Sequence, residues 1–390
     1  MKKGLIHGTL TLLVLIIIGI LAAPSILEDQ QNKVLTEDEW PISEQARKLH
    51  GQMRIADLHA DTLLWQRSFL EQSTRGHVDL LRLQKGQVTL QVLAAVTKSP
   101  SGQNYEANSP DAFDNITPLT IVQLWPPRTW TSLLERALYQ SEKLHNAASA
   151  STALTIIRNA DDLNAHLVGV STNTNDTSPA QVATLLATEG AHPLQGDLDN
   201  LQILWQAGFR MLGLHHFFDN RLGGSLHGES RQGLTEFGKS VVIRAQQMGF
   251  IIDVAHSSPA SVDDVLEIST APVVVSHTGI QGTCASPRNL ADEQMQRIAA
   301  AGGLIGVGYW DAVCDISPRG VARSIAYAID LVGVEHVALG SDYDGATTVT
   351  FDTSQLVVLT QAMLDEDLSA AEISAVMGEN QLRFLSEQLP

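Results

Sequence analysis

What most constrains the fold of this chain is an alternation that begins near residue 54. Short apolar, β-like runs are separated by helical patterns. The runs are IADLHAD (55–61), VTLQVLAAV (88–96), VATLLATEG (182–190), FRMLGLHH (209–216), FIIDVAH (250–256), PVVVSH (272–277), GLIGVGYW (303–310) and HVALGSD (336–342). Between them, SVVIRAQQMG, SVDDVLEIS, DEQMQRIAAAG and ARSIAYAIDLVG are the clearest helices. Such alternation favours parallel strands joined by helical crossovers. Eight units of this kind within 390 residues predict an α/β fold, a (β/α)8 TIM barrel whose usual size of roughly 250 residues leaves room for insertions.

The ends of the strands carry the chemistry. ADLHADTLL (56–64) places His59 and Asp61 two residues apart in an apolar run, so both leave the backbone on one side. Glu189 ends the third strand, His215 and His216 the fourth, His256 the fifth, His277 the sixth and Asp342 the eighth. In this fold the C-terminal strand ends open onto one face, where active sites lie. Any one of these histidines alone is more often a structural residue. Together with three carboxylates converging on one mouth they point to a site.

Imidazole and carboxylate donors without cysteine suit zinc or a similar divalent ion. Four or five donors exceed what one tetrahedral catalytic zinc uses, since that site keeps a position open for water. A binuclear centre fits better, with His59 and Asp61 on one ion, His256 and His277 on the other, and Glu189 between them. Two such ions can share a hydroxide and clamp a reacting oxygen, which is the chemistry of hydrolysis.

The remainder of the chain narrows the setting. With 44% hydrophobic and 17% charged residues the composition is that of a globular protein with a large core. A formal net charge of −18 argues against nucleic acid and anionic lipid as partners. Lys2 and Lys3 precede an uncharged apolar run that ends near Pro24. Residues 1–27 therefore read as a signal peptide or a membrane anchor, which predicts export and membrane contact through this segment alone. Residues 28–50 read as a linker running into a helix, and 51–390 as the barrel. Residues 97–130, rich in Pro, Ser and Asn, form the largest insertion, either a lid or binding loop or a surface excursion. Residues 171–180 read as a mobile loop, and the C-terminal SAAEISAVMGENQLRFLSEQL as an amphipathic helix packed on the barrel.

The segments DLHADT, ATEGAHPL, GFRMLGLHHFFDN, GLTEFGKSVV, IIDVAHSS, PVVVSHTG, SPRN and HVALGSDYDG, in this order, resemble the membrane dipeptidase (renal dipeptidase) family, peptidase family M19, among the amidohydrolase-type metal-dependent TIM barrels. The resemblance covers residues 54 to 385 and implies two Zn2+ per chain and the hydrolysis of dipeptides. It assigns His59, Asp61, Glu189, His256 and His277 as metal ligands. It makes His216 a substrate contact that polarises the carbonyl, Arg288 the partner of the substrate's terminal carboxylate, and Asp342 the general acid/base. These roles suit the residues, since arginine grips a carboxylate with a planar fork and a strand-end carboxylate beside metals can shuttle a proton. A homodimer is also what the family suggests.

Other residues keep plainer expectations. Asp344 reads as a loop cap and His215 as structural. His227 has a weak claim to the pocket's edge, and Tyr309 and Trp310 suit either the pocket or barrel packing. Unlike the animal enzymes, this chain has only Cys284 and Cys314, which could pair across the loops after the sixth and seventh strands. The region after the second strand and the HHFFDN segment also differ, so the metal site transfers better than the substrate. Two other readings stay open: a related barrel acting on another amide, lactam or ester, and a surface protein that binds without catalysis.

Overall fold

A computed structural model describes residues 19, 22–35, 40–169 and 180–390. Eight parallel strands form its centre: β1 (Ile55–Ala60), β2 (Val88–Val96), β3 (Val182–Glu189), β4 (Phe209–Gly213), β5 (Ile251–Asp253), β6 (Val274–Thr278), β7 (Leu304–Val307) and β8 (Val337–Leu339). Each pairs with its sequence neighbour in parallel register. Closure of the ring runs through the loop after β8, where a bridge joins Ala60 to Tyr343 and the Asp61 N–H donates to the Tyr343 carbonyl at 2.8 Å. The fold is the expected TIM barrel. A short strand, Leu154–Ile156, extends the sheet beside the start of β3.

The barrel is filled by side chains of alternating positions. Ala56, Leu58, Leu90, Val92, Ala183, Leu185, Met211, Ile251, Val274 and Leu304 make one buried cluster, which Leu382, Phe384, Leu385 and Leu389 of the C-terminal helix join. That interior is a packed plug, so the open mouth is left as the place for a site. The outward positions pack under the helices in a second, larger cluster.

Three helices begin two to four residues earlier than their apolar patterns suggest, because polar caps start them. Thr235, Ser258 and Ser317 cap Glu236–Met248, Pro259–Ile268 and Pro318–Val332, and the last two place Pro in the first turn. The C-terminal stretch is helical from Ala370 to Gln388 with a π segment at Ala375–Glu379. Gly378 lies in that segment, where a Cβ would stand 1.8 Å from the Arg54 carbonyl oxygen.

The strands end sooner than their apolar runs. β4, β5 and β8 stop at Gly213, Asp253 and Leu339, so His215, His216, His256 and Asp342 lie in the loops just beyond. His256 and Asp342 adopt left-handed backbone, with φ of 59° and 57°. Such conformations are uncommon for these residues and cluster where a side chain must be aimed.

Cys284 and Cys314 form a disulfide between the loops after β6 and β7. Among the described residues no helix is long and apolar enough to cross a membrane. Residues 1–18, 20 and 21 of the expected anchor and residues 171–179 of the expected mobile loop lie outside the described residues.

Candidate metal centre

Two irregularities in strand register aim the site. On β1, Ala56 and Leu58 belong to the interior cluster, so strict alternation would turn His59 outward. A register shift between Asp57 and Ala60 breaks that alternation, and His59 is delivered to the mouth. On β6 a shift between Val275 and Thr278 does the same for His277. Glu189 needs no such device, since it continues the interior series Ala183, Leu185, Ala187 of β3.

The donor atoms converge. His59 Nε2 lies 3.4 Å from Asp61 Oδ1 and 3.6 Å from Glu189 Oε1. His256 Nε2 and His277 Nε2 lie 3.2 and 3.6 Å from the same Glu189 Oε1, and 2.9 Å from each other. Donors about 2.1 Å from a tetrahedral cation are roughly 3.4 Å apart, which the 3.2–3.6 Å spacings match, whereas the 2.9 Å contact between the two histidines is of hydrogen-bond length. His59 Nε2, Asp61 Oδ1 and His256 Nδ1 are buried without a hydrogen-bond partner, a costly state that ion coordination relieves for the first two. The residues present therefore fit a metal centre.

The grouping is less partitioned than expected. His59, Glu189, His277 and Asp342 form one set able to hold an ion, and Glu189, His216 and His256 form another. Glu189 is common to both. His277 falls on the same side as His59, and His216 stands among the donors, with its Nε2 3.3 Å from Glu189 Oε2. Its Nδ1 faces the Lys98 carbonyl at 3.2 Å. That N–H must donate, so the neutral ring presents a bare Nε2 to the site, and polarising a carbonyl would require a second proton. Burial opposes that proton, pushing the ring down to about 3.

Burial also pushes Asp61 and Glu189 well above the usual carboxylate range, reinforced by Asp344 in the first case and by Asp61 in the second. The same desolvation, helped by Arg288, holds His256 well below its ordinary value. Buried carboxylates and neutral imidazoles form a pocket short of positive charge, which divalent cations supply.

Asp342 and Arg288 flank this centre. Desolvation raises the Asp342 carboxyl to about 8; His59 and Arg288 work against the rise. Arg288 is buried, donates from Nη2 to the His277 carbonyl at 3.2 Å, and lies over the Trp310 ring at 5.2 Å. Asn289 pins the Arg288 loop, its Nδ2 donating to Cys284 and Ala312 carbonyls at 2.7 and 2.6 Å. Asp61, Glu189, His216, His256, Arg288 and Asp342 all line one cavity of about 870 Å³.

Residues 97–130 form part of the cavity wall through Ser99, Tyr105, Ile116 and Leu119, so the insertion belongs to the site. Tyr105 latches it: its hydroxyl donates to Asp311 Oδ1 and accepts from Trp310 Nε1, both at 3.1 Å. Trp310 lines the cavity, whereas Tyr309 packs against Tyr343 and Phe351. His215 bonds Ser257 at 2.9 Å, a structural role. His227 lies behind the lining, with its Nδ1 donating to the Tyr105 carbonyl. Asp344 accepts from Thr62 at 2.7 Å and from Arg67, and so ties loops together.

Sequence reasoning missed the layer behind the ligands. Ser276 Oγ donates to Asp253 Oδ2 at 2.6 Å and accepts from His277 Nδ1 at 2.9 Å. That chain fixes the His277 tautomer with Nε2 free to bind. Asp253 was detectable in principle, as a carboxylate in phase with interior Ile251. Ser276 offered no signal beyond its position before His277.

Comparison with known proteins identifies the family and the fold. The model of the family described as membrane dipeptidase (peptidase family M19) matches residues 43–389. Dipeptidase aclJ of Aspergillus oryzae is 30% identical over 221 residues, 54% of this chain and 52% of that protein, so the chain spans about half the length of that relative. The crystal structure of the probable dipeptidase PvdM from Pseudomonas aeruginosa superposes with a TM-score of 0.71 at 19% identity, covering 88% of this chain and 97% of the other. A metallo peptidase from Rhodobacter sphaeroides, crystallised with a phosphinate mimic of the dipeptide L-Ala-D-Ala, gives 0.68 at 22% identity, covering 87% and 100%. At these identities the structures speak for the fold. Matched over almost its whole barrel, the chain belongs to the membrane dipeptidase family, peptidase family M19.

Proposed function

We propose that this protein is an exported metallo-dipeptidase that hydrolyses the amide bond of dipeptides with a free C-terminus at a centre of two zinc ions. The observation that carries this reading is Arg288. It is a buried guanidinium beside His256 and His277, in the same cavity as Asp342. A buried cation of that shape next to a hydrolytic centre suits a substrate with a carboxylate close to its scissile bond. In a dipeptide the terminal carboxylate is one residue away from that bond.

In this reading His59 and Asp61 would hold one ion, His256 and His277 the other, and Glu189 would be shared. Bound divalent cations would supply a water that is nucleophilic near neutral pH. Asp342 takes a proton from the attacking water and gives it to the nitrogen as the C–N bond breaks. Arg288 fixes the substrate's carboxylate, and Leu64, Trp65 and Ile116 of the same cavity lining offer an apolar surface to the rest of the substrate. The disulfide and the apolar N-terminal run support export.

The test is amino-acid release from L,L and L,D dipeptides by the zinc-reconstituted full chain, with a chelator control, Asp342→Asn and C-terminally amidated substrates. Chelator-sensitive cleavage that needs the free carboxylate and Asp342 supports the reading. Cleavage of the amidated substrates at equal rate moves the function to another amide, a lactam or an ester.

A further inference from the structure

The segment just after the N-terminal apolar run is folded onto the active-site mouth. Residues 22–31 are helical, and Lys33–Val34 pairs in parallel with Thr348–Val349 in the loop after β8. Leu27 and Gln31 line the cavity together with Asp342, Gly345, Ala346 and Thr347.

The attachment is polar and buried. Glu28, 1% exposed, accepts from Arg67 and from Arg75 Nε at 2.6 Å. Arg67 reaches on to Asp344, two residues beyond Asp342. Asn32 is also buried, and its Oδ1 accepts from the Ala346 N–H at 2.9 Å. The Lys33 and Leu35 N–H groups donate to the carbonyls of Thr347 at 3.1 Å and Val349 at 2.8 Å.

The loop these bonds grip is one that would not hold its shape alone. Asp342, Asp344 and Ala346 have φ of 57°, 63° and 61°, three left-handed residues without a glycine among them. Such backbone persists only where its surroundings over-determine it. Within the loop, Thr347 Oγ1 donates to the Asp342 carbonyl at 2.9 Å, so the strand that holds Thr347 also holds Asp342.

We infer that residues 28–35 are a positioning strap for Asp342, holding the strained loop that presents this carboxylate to the cavity. The inference rests on the role given to Asp342 above. It has a consequence for maturation: any cut that separates the apolar run from the barrel has to fall before Glu28. Glu28 and Asn32 act through the loop and touch no reacting atom; they are positioning residues.

The experiment uses the full chain loaded with zinc and the variants Glu28→Ala, Asn32→Ala, Asn32→Asp and Asp29→Ala. Amide hydrogen exchange over residues 342–349, zinc content and steady-state kinetics on a dipeptide are measured. Glu28→Ala and Asn32→Ala are expected to speed exchange in 342–349 at least tenfold and to lower kcat at least tenfold. KM should change less than threefold, and zinc content should be kept. Asn32→Asp keeps the acceptor for Ala346 and should stay near wild type, as should the exposed Asp29→Ala. Unchanged exchange in 342–349 overturns the strap. So does an unfolded Glu28→Ala chain, or faster exchange throughout the barrel, because the segment would then be core and not a support for one loop. If the wild-type chain binds zinc but cleaves no dipeptide, the role of Asp342 fails, and the exchange result still decides the strap.

Discussion

Ser276 Oγ stands 2.9 Å from His277 Nδ1 and hands its own hydrogen to Asp253, so one hydroxyl sets which nitrogen of that histidine faces the metal centre. His59 Nδ1 lies 3.2 Å from the same oxygen. Outer partners of this kind typically change metal affinity by about 10- to 100-fold. Ser276→Ala is expected to weaken zinc binding by that factor, measured by competition with a chromophoric chelator. An affinity unchanged within twofold would show that Ser276 does not orient the ligands.

Arg288 should act on binding and on substrate choice. Truncating one partner of a buried charged pair costs about 2–5 kcal/mol. Arg288→Met is therefore expected to lower kcat/KM for a dipeptide by about 30-fold or more. It should also abolish the preference for a free over an amidated C-terminus. Equal discrimination in wild type and variant would place the carboxylate elsewhere.

The Cys284–Cys314 bond closes a loop with a sequence separation of 30, which carries Arg288 and ends four residues past Trp310. Chain entropy alone gives such a cross-link about 3–4 kcal/mol of stability. Replacing both cysteines by serine should lower the thermal midpoint and raise KM more than it lowers kcat. Unaltered KM in the folded double variant would mean that Asn289 alone suffices to hold the Arg288 loop.

Acid sensitivity follows from His50, which donates to or accepts from Thr360 at 2.8 Å. Burial lowers it to about 4, against about 6.5 in the unfolded chain. Above pH 6.5 both states are neutral and its contribution is intact. As pH falls from 6.5 towards 4 the unfolded state takes up a proton that the fold refuses, and stability drops by up to about 3 kcal/mol. Denaturant titrations of wild type and His50→Gln across that window should converge at low pH; parallel curves would contradict the argument.

The strands were legible because their apolar runs are bounded and regularly spaced, and the convergence of His59, Glu189, His256 and His277 followed from their place at strand ends. Which way those side chains point was not legible. Strict alternation turns His59 and His277 away from the barrel interior, and only the register shifts on β1 and β6 bring them to the mouth. Nor could the sequence show that Glu28 meets Arg67 across 39 residues, since long-range ion pairs leave no periodic trace. The tautomer of His216 depends on the Lys98 carbonyl, a backbone group that every residue carries.

The most direct test of the binuclear centre is the zinc content of the active enzyme, titrated against activity in wild type and Glu189→Gln. The account predicts that activity rises to its full value only as the second zinc per chain is bound. It also predicts that Glu189→Gln holds fewer than two ions and loses activity. Full hydrolysis with one zinc per chain, or two ions still bound without Glu189, would contradict it.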